Sequence, residues 1–182
     1  MGISKRLIEE AESYLDGSQP RLTNILLLCF FNSGFQLNLF YRLTHKLYKS
    51  FASRRLLWLI PRIITYLERV LASSYIDPKA KIGKRFRILY GFNIVIGAKV
   101  EIGDDVMIFN GTSIGSAVPG LLDIKQPKIG SGVFIGAGAK LLGGITIGDN
   151  VKIGANSVVL KSFGPNVTIA GIPAKIVKKH SS

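Results

Sequence analysis

The chain has 182 residues, with 24 Lys plus Arg against 11 Asp plus Glu, a net charge of +13. That length allows one or two domains with a sizeable core, and the charge balance favours anionic partners. The only cysteine is Cys29, which excludes an intrachain disulfide and fits a reducing compartment. Glu9, Glu10, Glu12 and Asp16 stand where a signal peptide needs an apolar run. The longest unbroken apolar run of the N-terminal half, Ile25 to Phe31, is far shorter than the roughly 20 residues of a membrane span. Neither a cleavable leader nor a transmembrane helix is therefore expected.

In chain order, residues 3–15 read as a short helix ended by Gly17 and Pro20. Its mixed charges suggest a solvated cap without chemistry of its own. Residues 21–75 read as two or three helices, with breaks at Gly34 and around residues 51–53. Phe35, Leu39, Leu43 and Leu47 recur at helical spacing and predict an apolar stripe. The stretch 56–72 is apolar with Arg62 and Arg69 at its margins, and Pro61 should kink it or mark a fresh start. Cys29 lies in an apolar run and is expected in the core.

Between residues 42 and 72 the cations Arg42, Lys46, Lys49, Arg54, Arg55, Arg62 and Arg69 face Glu68 alone. Two compatible readings follow. The helices pack on one another, on the next domain and on sister subunits, or they present a basic amphipathic surface to anionic lipid, with Tyr48, Phe51 and Trp58 at headgroup depth. Nucleic acid is not an expected partner, because no base-reading motif is present and the cations sit among large aliphatics.

From Ile76 to Leu160 the chain advances in steps of six. Ile76, Ile82 and Ile88 form one series, and Ile96, Ile102, Ile108 and Ile114 a second; Ile129, Ile135, Leu141, Ile147, Ile153 and Val159 form a third. Glycine follows many of these anchors directly, and a small or apolar residue stands two before most of them, as at Ala80, Val100 and Val151. A short fixed period of this kind specifies a solenoid. The predicted fold is α+β: a helical N-terminal region over residues 1–75, then a left-handed parallel β-helix over residues 76–170, then a basic tail over residues 171–182. Each hexapeptide is one strand and one corner, and the glycine is expected at the corner because positive φ is needed there.

Two departures from the period mark candidate functional loops. The step from Ile88 to Ile96 is eight, and that from Ile114 to Ile129 is fifteen. The first displaces residues 90–93 from the regular wall, and the second sends residues 116–126 outward. Beyond the repeats, residues 164–166 read as a turn, residues 167–170 as a last strand, and Lys175, Lys178 and Lys179 as a basic end.

The runs "IGDDV" at 102–106, "IGSGVFIGAGAKLLGGITIGDNVKIGANSVVLK" at 129–161 and "IAGIPAKIV" at 169–177 resemble the hexapeptide-repeat acyltransferases. The resemblance is to the serine acetyltransferase branch and its relatives acting on bacterial exopolysaccharide. "GFQLNLFYRLTHKLY" at 34–48 and "RFRILYGFNIVI" at 85–96 extend it upstream. The resemblance implies a homotrimer with acetyl-CoA in a groove between neighbouring β-helices. Gly115, Ala137, Gly138 and Ala155 would line the pantetheine arm, and Lys175, Lys178 and Lys179 would lie near the CoA phosphates.

It also implies a general base for the acceptor hydroxyl and backbone donors for the oxyanion. The family's base is a histidine, and this chain departs from that pattern. Tyr90 stands at the aligned position, with Leu89 beside it; Gln126 stands where a second family histidine precedes proline, and Tyr75 where an orienting acid belongs. The two histidines, His45 and His180, align with neither position. Tyr90, Asp123, Asn110 and Gln126 are therefore the candidate catalytic residues. Tyr90 is expected as a pocket wall or hydrogen-bond donor, because a phenol with a pKa near 10 is a poor base. Asp77 and Asp123 are loop carboxylates able to serve as base, and His45 reads as a structural histidine.

The reading is an acetyl-CoA-dependent O-acetyltransferase acting on a sugar hydroxyl in polysaccharide or glycolipid assembly, cytoplasmic at the inner face of the membrane. The alternative is a non-catalytic trimer that keeps the fold as a scaffold for another assembly enzyme. A carbonic anhydrase on the same fold needs three metal-binding histidines, and none occurs between residues 76 and 160.

Overall fold

A computed structural model describes residues 3–15, 20–51, 59–118 and 125–180. Four helices come first: α1 (Ile3–Tyr14), α2 (Leu22–Phe31), α3 (Ser33–Phe51) and α4 (Leu59–Ala72). The break between α2 and α3 falls at Asn32 rather than Gly34, which lies inside the first turn of α3. Pro61 is the third described residue of α4.

Among the described residues, fifteen short strands follow in three sheets. The first face stacks β1 (Tyr75–Ile76), β4 (Val95–Ile96), β7 (Ser113–Gly115), β10 (Lys140–Leu142) and β13 (Val158–Val159). The second stacks β2 (Lys81–Ile82), β5 (Glu101–Ile102), β8 (Lys128–Ile129) and β11 (Thr146–Ile147). The third stacks β3 (Arg87–Leu89), β6 (Met107–Phe109), β9 (Phe134–Ile135), β12 (Lys152–Ile153), β14 (Val167–Gly171) and β15 (Ala174–Lys179). All pair in parallel except β14 with β15. The expected tail is thus a hairpin strand: Lys175 pairs with Ala170 and Lys178 with Thr168.

Register places like on like. Ile76 stacks on Ile96, Ile114, Leu141 and Val159, while Ile88 stacks on Ile108, Ile135, Ile153 and Ile169. The anchors, and the residues two before them, form one continuous buried cluster. Each buried aliphatic contributes about 1.5–3 kcal/mol, and no single coil could bury its own face.

The corners differ from expectation in one respect. The glycine after the anchor is there for space. A Cβ at Gly136 would stand 2.6 Å from the Ala155 nitrogen on the next coil. Positive φ falls instead three residues after the anchor, at Arg85, Asp105, Gly111, Gly132, Gly138, Asn150 and Asn156. Glycine, asparagine and aspartate predominate there because they tolerate the left-handed region.

The helices close the open end of the solenoid. Coil one has no coil before it, so half of its backbone groups face outward. Phe86 N–H donates to Glu10 Oε2 at 3.2 Å, and Phe86 C=O accepts from Asn38 Nδ2 at 2.7 Å. Ala80 C=O accepts from the Tyr41 hydroxyl at 2.8 Å, and Ile82 and Gly83 carbonyls accept from Arg42. Ile88 N–H donates to the Tyr14 hydroxyl at 2.8 Å. Glu10 is 1% exposed, with the Arg42 guanidinium 2.7 Å from Oε1 and Asn38 Nδ2 3.0 Å from Oε2. Helix α1 is therefore a docked element with a buried carboxylate, not a solvated cap. The buried face of α3 is Phe35, Leu37, Asn38 and Tyr41, whereas Leu43 of the expected stripe is exposed.

Removing one partner of a buried ion pair leaves the other charge uncompensated. Glu10→Ala is expected to cost about 3 kcal/mol, whereas Glu12→Ala, at an exposed position of the same helix, should stay within about 0.5 kcal/mol. Denaturant unfolding of the two variants measures the difference.

Candidate active site

The edge between the third and first faces gathers the corner residues of successive coils. Residues 90–93, Asn110–Gly111, Ala137–Gly138 and Ala155–Asn156 lie one above another. Gly111 N–H donates to Phe92 C=O at 3.0 Å, Gly138 N–H to Asn110 C=O at 2.9 Å, and Asn156 N–H to Ala137 C=O at 2.8 Å. Five of the candidate residues therefore share one edge: Tyr90, Asn110, Ala137, Gly138 and Ala155. Glycine suits position 138, since φ there is +73° and a Cβ would displace the Asn156 side chain, whose Oδ1 would stand 2.1 Å away.

Tyr90 projects from this edge with φ at 62° and 65% exposure. Its ring lies 6.5 Å from Phe109, which packs edge-on against Phe134 at 5.4 Å. The three rings make an aromatic strip climbing three coils. Lys140 adds a cation, donating to Gly111 C=O and, at 3.1 Å, to Ser113 Oγ. Sequence reasoning passed over Lys140 because it lies inside a regular repeat; only the stacking of coils carries it to the corner.

Gln126 and Gly115 belong to the other edge of the first face. Gln126 Oε1 accepts from Lys99 N–H at 2.9 Å, and Gly115 C=O accepts from Gly143 N–H at 2.9 Å. The Gln126 side chain thus holds a corner at the lip of a cleft of about 600 Å³ lined also by Lys125 and Lys128. Asp123 lies outside the described residues. Crossing the first face takes about five residues at about 3.3 Å each, so the Tyr90 and Gln126 edges stand some 16 Å apart within one chain. A single reacting atom touched by both needs a second copy.

The remaining candidates have structural partners. Asp77 accepts from Lys79 N–H at 2.9 Å and from the Tyr75 hydroxyl at 2.7 Å. Burial, and then that bond to Asp77, pushes the Tyr75 phenol up to about 12, so Tyr75 is a donor and not a base. His45 Nδ1 lies 2.7 Å from Pro78 C=O and carries the proton, because a carbonyl only accepts. His180 Nε2 lies 2.8 Å from Thr168 Oγ1. Cys29 is half-buried on a helix without a buried residue, so it is not core. Lys175, Lys178 and Lys179 are exposed along β15. A groove of about 870 Å³ on the second face holds His45 but none of the other candidates. Glu101 bridges Lys81 and Lys128 in it, and hydrogen bonds from Lys81 and then Lys128 lower its carboxyl below the usual range.

Residues 126–161 match the family described as bacterial transferase hexapeptide (six repeats). Serine acetyltransferase of Helicobacter pylori strain ATCC 700392 / 26695 is 42% identical over 146 residues, 80% of this chain and 82% of that one. The Bacillus pumilus serine acetyltransferase is 36% identical over 176 residues, 97% of this chain and 78% of that one. Among solved structures, serine acetyltransferase of Neisseria gonorrhoeae superposes with a TM-score of 0.85 at 29% identity, covering 99% of this chain and 68% of that one. The Brucella abortus enzyme in complex with coenzyme A gives 0.85 at 31% identity, covering 98% and 68%. The architecture is thus a left-handed β-helix behind an N-terminal helical layer. The chain belongs to the hexapeptide-repeat acyltransferases, in the family of the serine acetyltransferases.

A bulky residue in the left-handed region costs about 1–2 kcal/mol, and Tyr90 is mostly exposed, so its ring returns little of that through packing. Tyr90→Asn is expected to leave the thermal midpoint unchanged or raise it. A midpoint lowered by several degrees would show that the ring is a structural support.

Proposed function

We propose that this chain is an acetyl-CoA-dependent O-acetyltransferase whose acceptor is a sugar hydroxyl in polysaccharide or glycolipid assembly at the cytoplasmic membrane face, and that it works as a homotrimer. The coenzyme A complex of the Brucella abortus relative supports the co-substrate. The observation that carries the acceptor is the strip of Tyr90, Phe109 and Phe134. A pyranose ring presents C–H bonds on one face and hydroxyls at its rim. A row of aromatic faces beside hydrogen-bonding corners suits that shape. It suits a small zwitterion such as serine poorly, since serine needs paired charges at both ends.

In the reaction, the acceptor oxygen attacks the thioester carbonyl, the C–S bond breaks, and the hydroxyl proton is finally carried to the departing thiolate. We assign the roles as follows. Tyr90 and Asn110 orient the acceptor hydroxyl. Asp123, in the sequence between β7 and β8, takes its proton. Gln126 holds the corner from which that loop returns. Gly115, Ala137, Gly138 and Ala155 leave room along the edges for the pantetheine arm, and Lys175, Lys178 and Lys179 attract the CoA phosphates. The separation of the two edges of the first face is what motivates a site shared between copies of the trimer. Positioning and backbone oxyanion donors supply much of the barrier lowering in such a site.

Thiol release from acetyl-CoA, followed over a panel of hexoses, hexosamines and L-serine, tests this reading. The expected result is turnover with a sugar and little with serine; a higher kcat/KM for serine overturns the acceptor, and no release with any acceptor favours a scaffold that has lost its chemistry. Asp123→Asn is expected to lower kcat about 10²-fold or more. Tyr90→Phe should cost about tenfold, the loss of one hydrogen bond, and an unchanged rate removes the Tyr90 hydroxyl from the mechanism.

A further inference from the structure

Helix α2 turns its apolar side outward. At 100° per residue, Leu22, Leu26, Leu27, Phe30 and Phe31 spread over half of the cylinder. All are exposed, from 48% at Leu26 to 83% at Phe31. The opposite half, Asn24, Ile25, Leu28 and Cys29, is half-buried, and α2 packs on α1 and α3. The orientation is fixed. The chain bends by 94° between α2 and α3. Asn32 Oδ1 accepts from Phe35 N–H at 2.9 Å, and Gln36 Nε2 donates to the Cys29 and Phe30 carbonyls at 2.9 and 3.0 Å.

We infer that the outer face of α2 lies in the headgroup region of an anionic phospholipid bilayer. Two observations select lipid over a second copy of the chain. The first is width. Of the exposed large apolar residues described on α4, Leu59, Ile63, Tyr66 and Val70 follow at steps of four, three and four, with Ile60 at the margin, close to the narrow seam that a partner helix covers. The arc on α2 is far broader than such a seam, and an interfacial helix buries an arc of that breadth. The second is charge. Residues 17–67 contain no Asp or Glu, and besides Arg42, which is committed to Glu10 and coil one, their cations are Arg21, Lys46, Lys49, Arg54, Arg55 and Arg62. Such a segment is drawn to acidic headgroups.

The helix lies on the surface and does not cross it. No single helix among the described residues is long and apolar enough to span a bilayer. Its neighbour α3 cannot extend it, because Asn38, Tyr41 and Arg42 are committed to coil one. The membrane location is part of the proposed function, whereas the assignment to α2 is independent of which hydroxyl is acetylated.

Flotation of the full chain with phosphatidylcholine vesicles, with and without about 30 mol% phosphatidylglycerol, tests the inference. The expected result is co-flotation only with the anionic vesicles, weakened by high salt. The double variant Phe30→Ser and Phe31→Ser should reduce the bound fraction at least about tenfold with an unchanged circular dichroism melt and unchanged thiol release with a soluble acceptor. A wild-type chain that does not float, or a double variant that floats equally well, overturns it. So does a double variant whose assembly mass falls in light scattering while the wild type stays off the vesicles, because that result assigns the face to a second copy. Loss of acetyl transfer with retained flotation would instead overturn the enzymatic reading and leave this one standing.

Discussion

A stack of parallel coils leaves two open ends, and the first coil of this one exposes backbone groups that have no coil to pair with. Unpaired backbone N–H and C=O groups away from water each cost free energy comparable to a lost hydrogen bond. The chain meets this constraint with side chains from α1 and α3: Glu10, Tyr14, Asn38, Tyr41 and Arg42 reach the free groups of residues 80–88. Satisfying them obliges the chain to bury a carboxylate and a guanidinium together. That obligation fixes where the helical layer sits, and so fixes which helix faces are left outside. At the far end the answer is different: β15 folds back antiparallel on β14 and ends the stack with a hairpin.

Between the two ends, the corners determine what the edges can hold. Glycine just after the anchor lets the coils approach closely, and a left-handed residue three after it turns the chain. Together they bring Asn110, Gly138 and Asn156 into a column. The eight-residue step in coil one breaks the rule at this edge and puts a tyrosine in the left-handed region. The fifteen-residue step breaks it at the neighbouring edge, where Gln126 ties the returning loop to Lys99. The irregularities therefore sit on the two edges of one face. Both histidines are engaged elsewhere, His45 by Pro78 and His180 by Thr168.

The solenoid and its core were legible from the sequence. A period of six with an aliphatic anchor has one way to bury thirteen anchors, and the register places each on its equivalent. The candidate residues could also be named, since loops are departures from that period. Their grouping could not, because residues 28 positions apart, such as Asn110 and Gly138, become neighbours only after the intervening coil has closed. The aromatic strip was hidden for the same reason: Tyr90, Phe109 and Phe134 fall at no single spacing.

The sequence alone thus determined the architecture and the family, both of which are local in the repeat. Tertiary structure decided the rest. It showed that the acidic first helix is a buried clasp, that the glycines serve close approach more than positive φ, that the basic tail is a strand, and that the most apolar helix faces outward. Each of these depends on which side of an element its neighbours occupy. Periodicity reports that an element has an apolar side; only packing against coil one determines whether that side faces inward or outward.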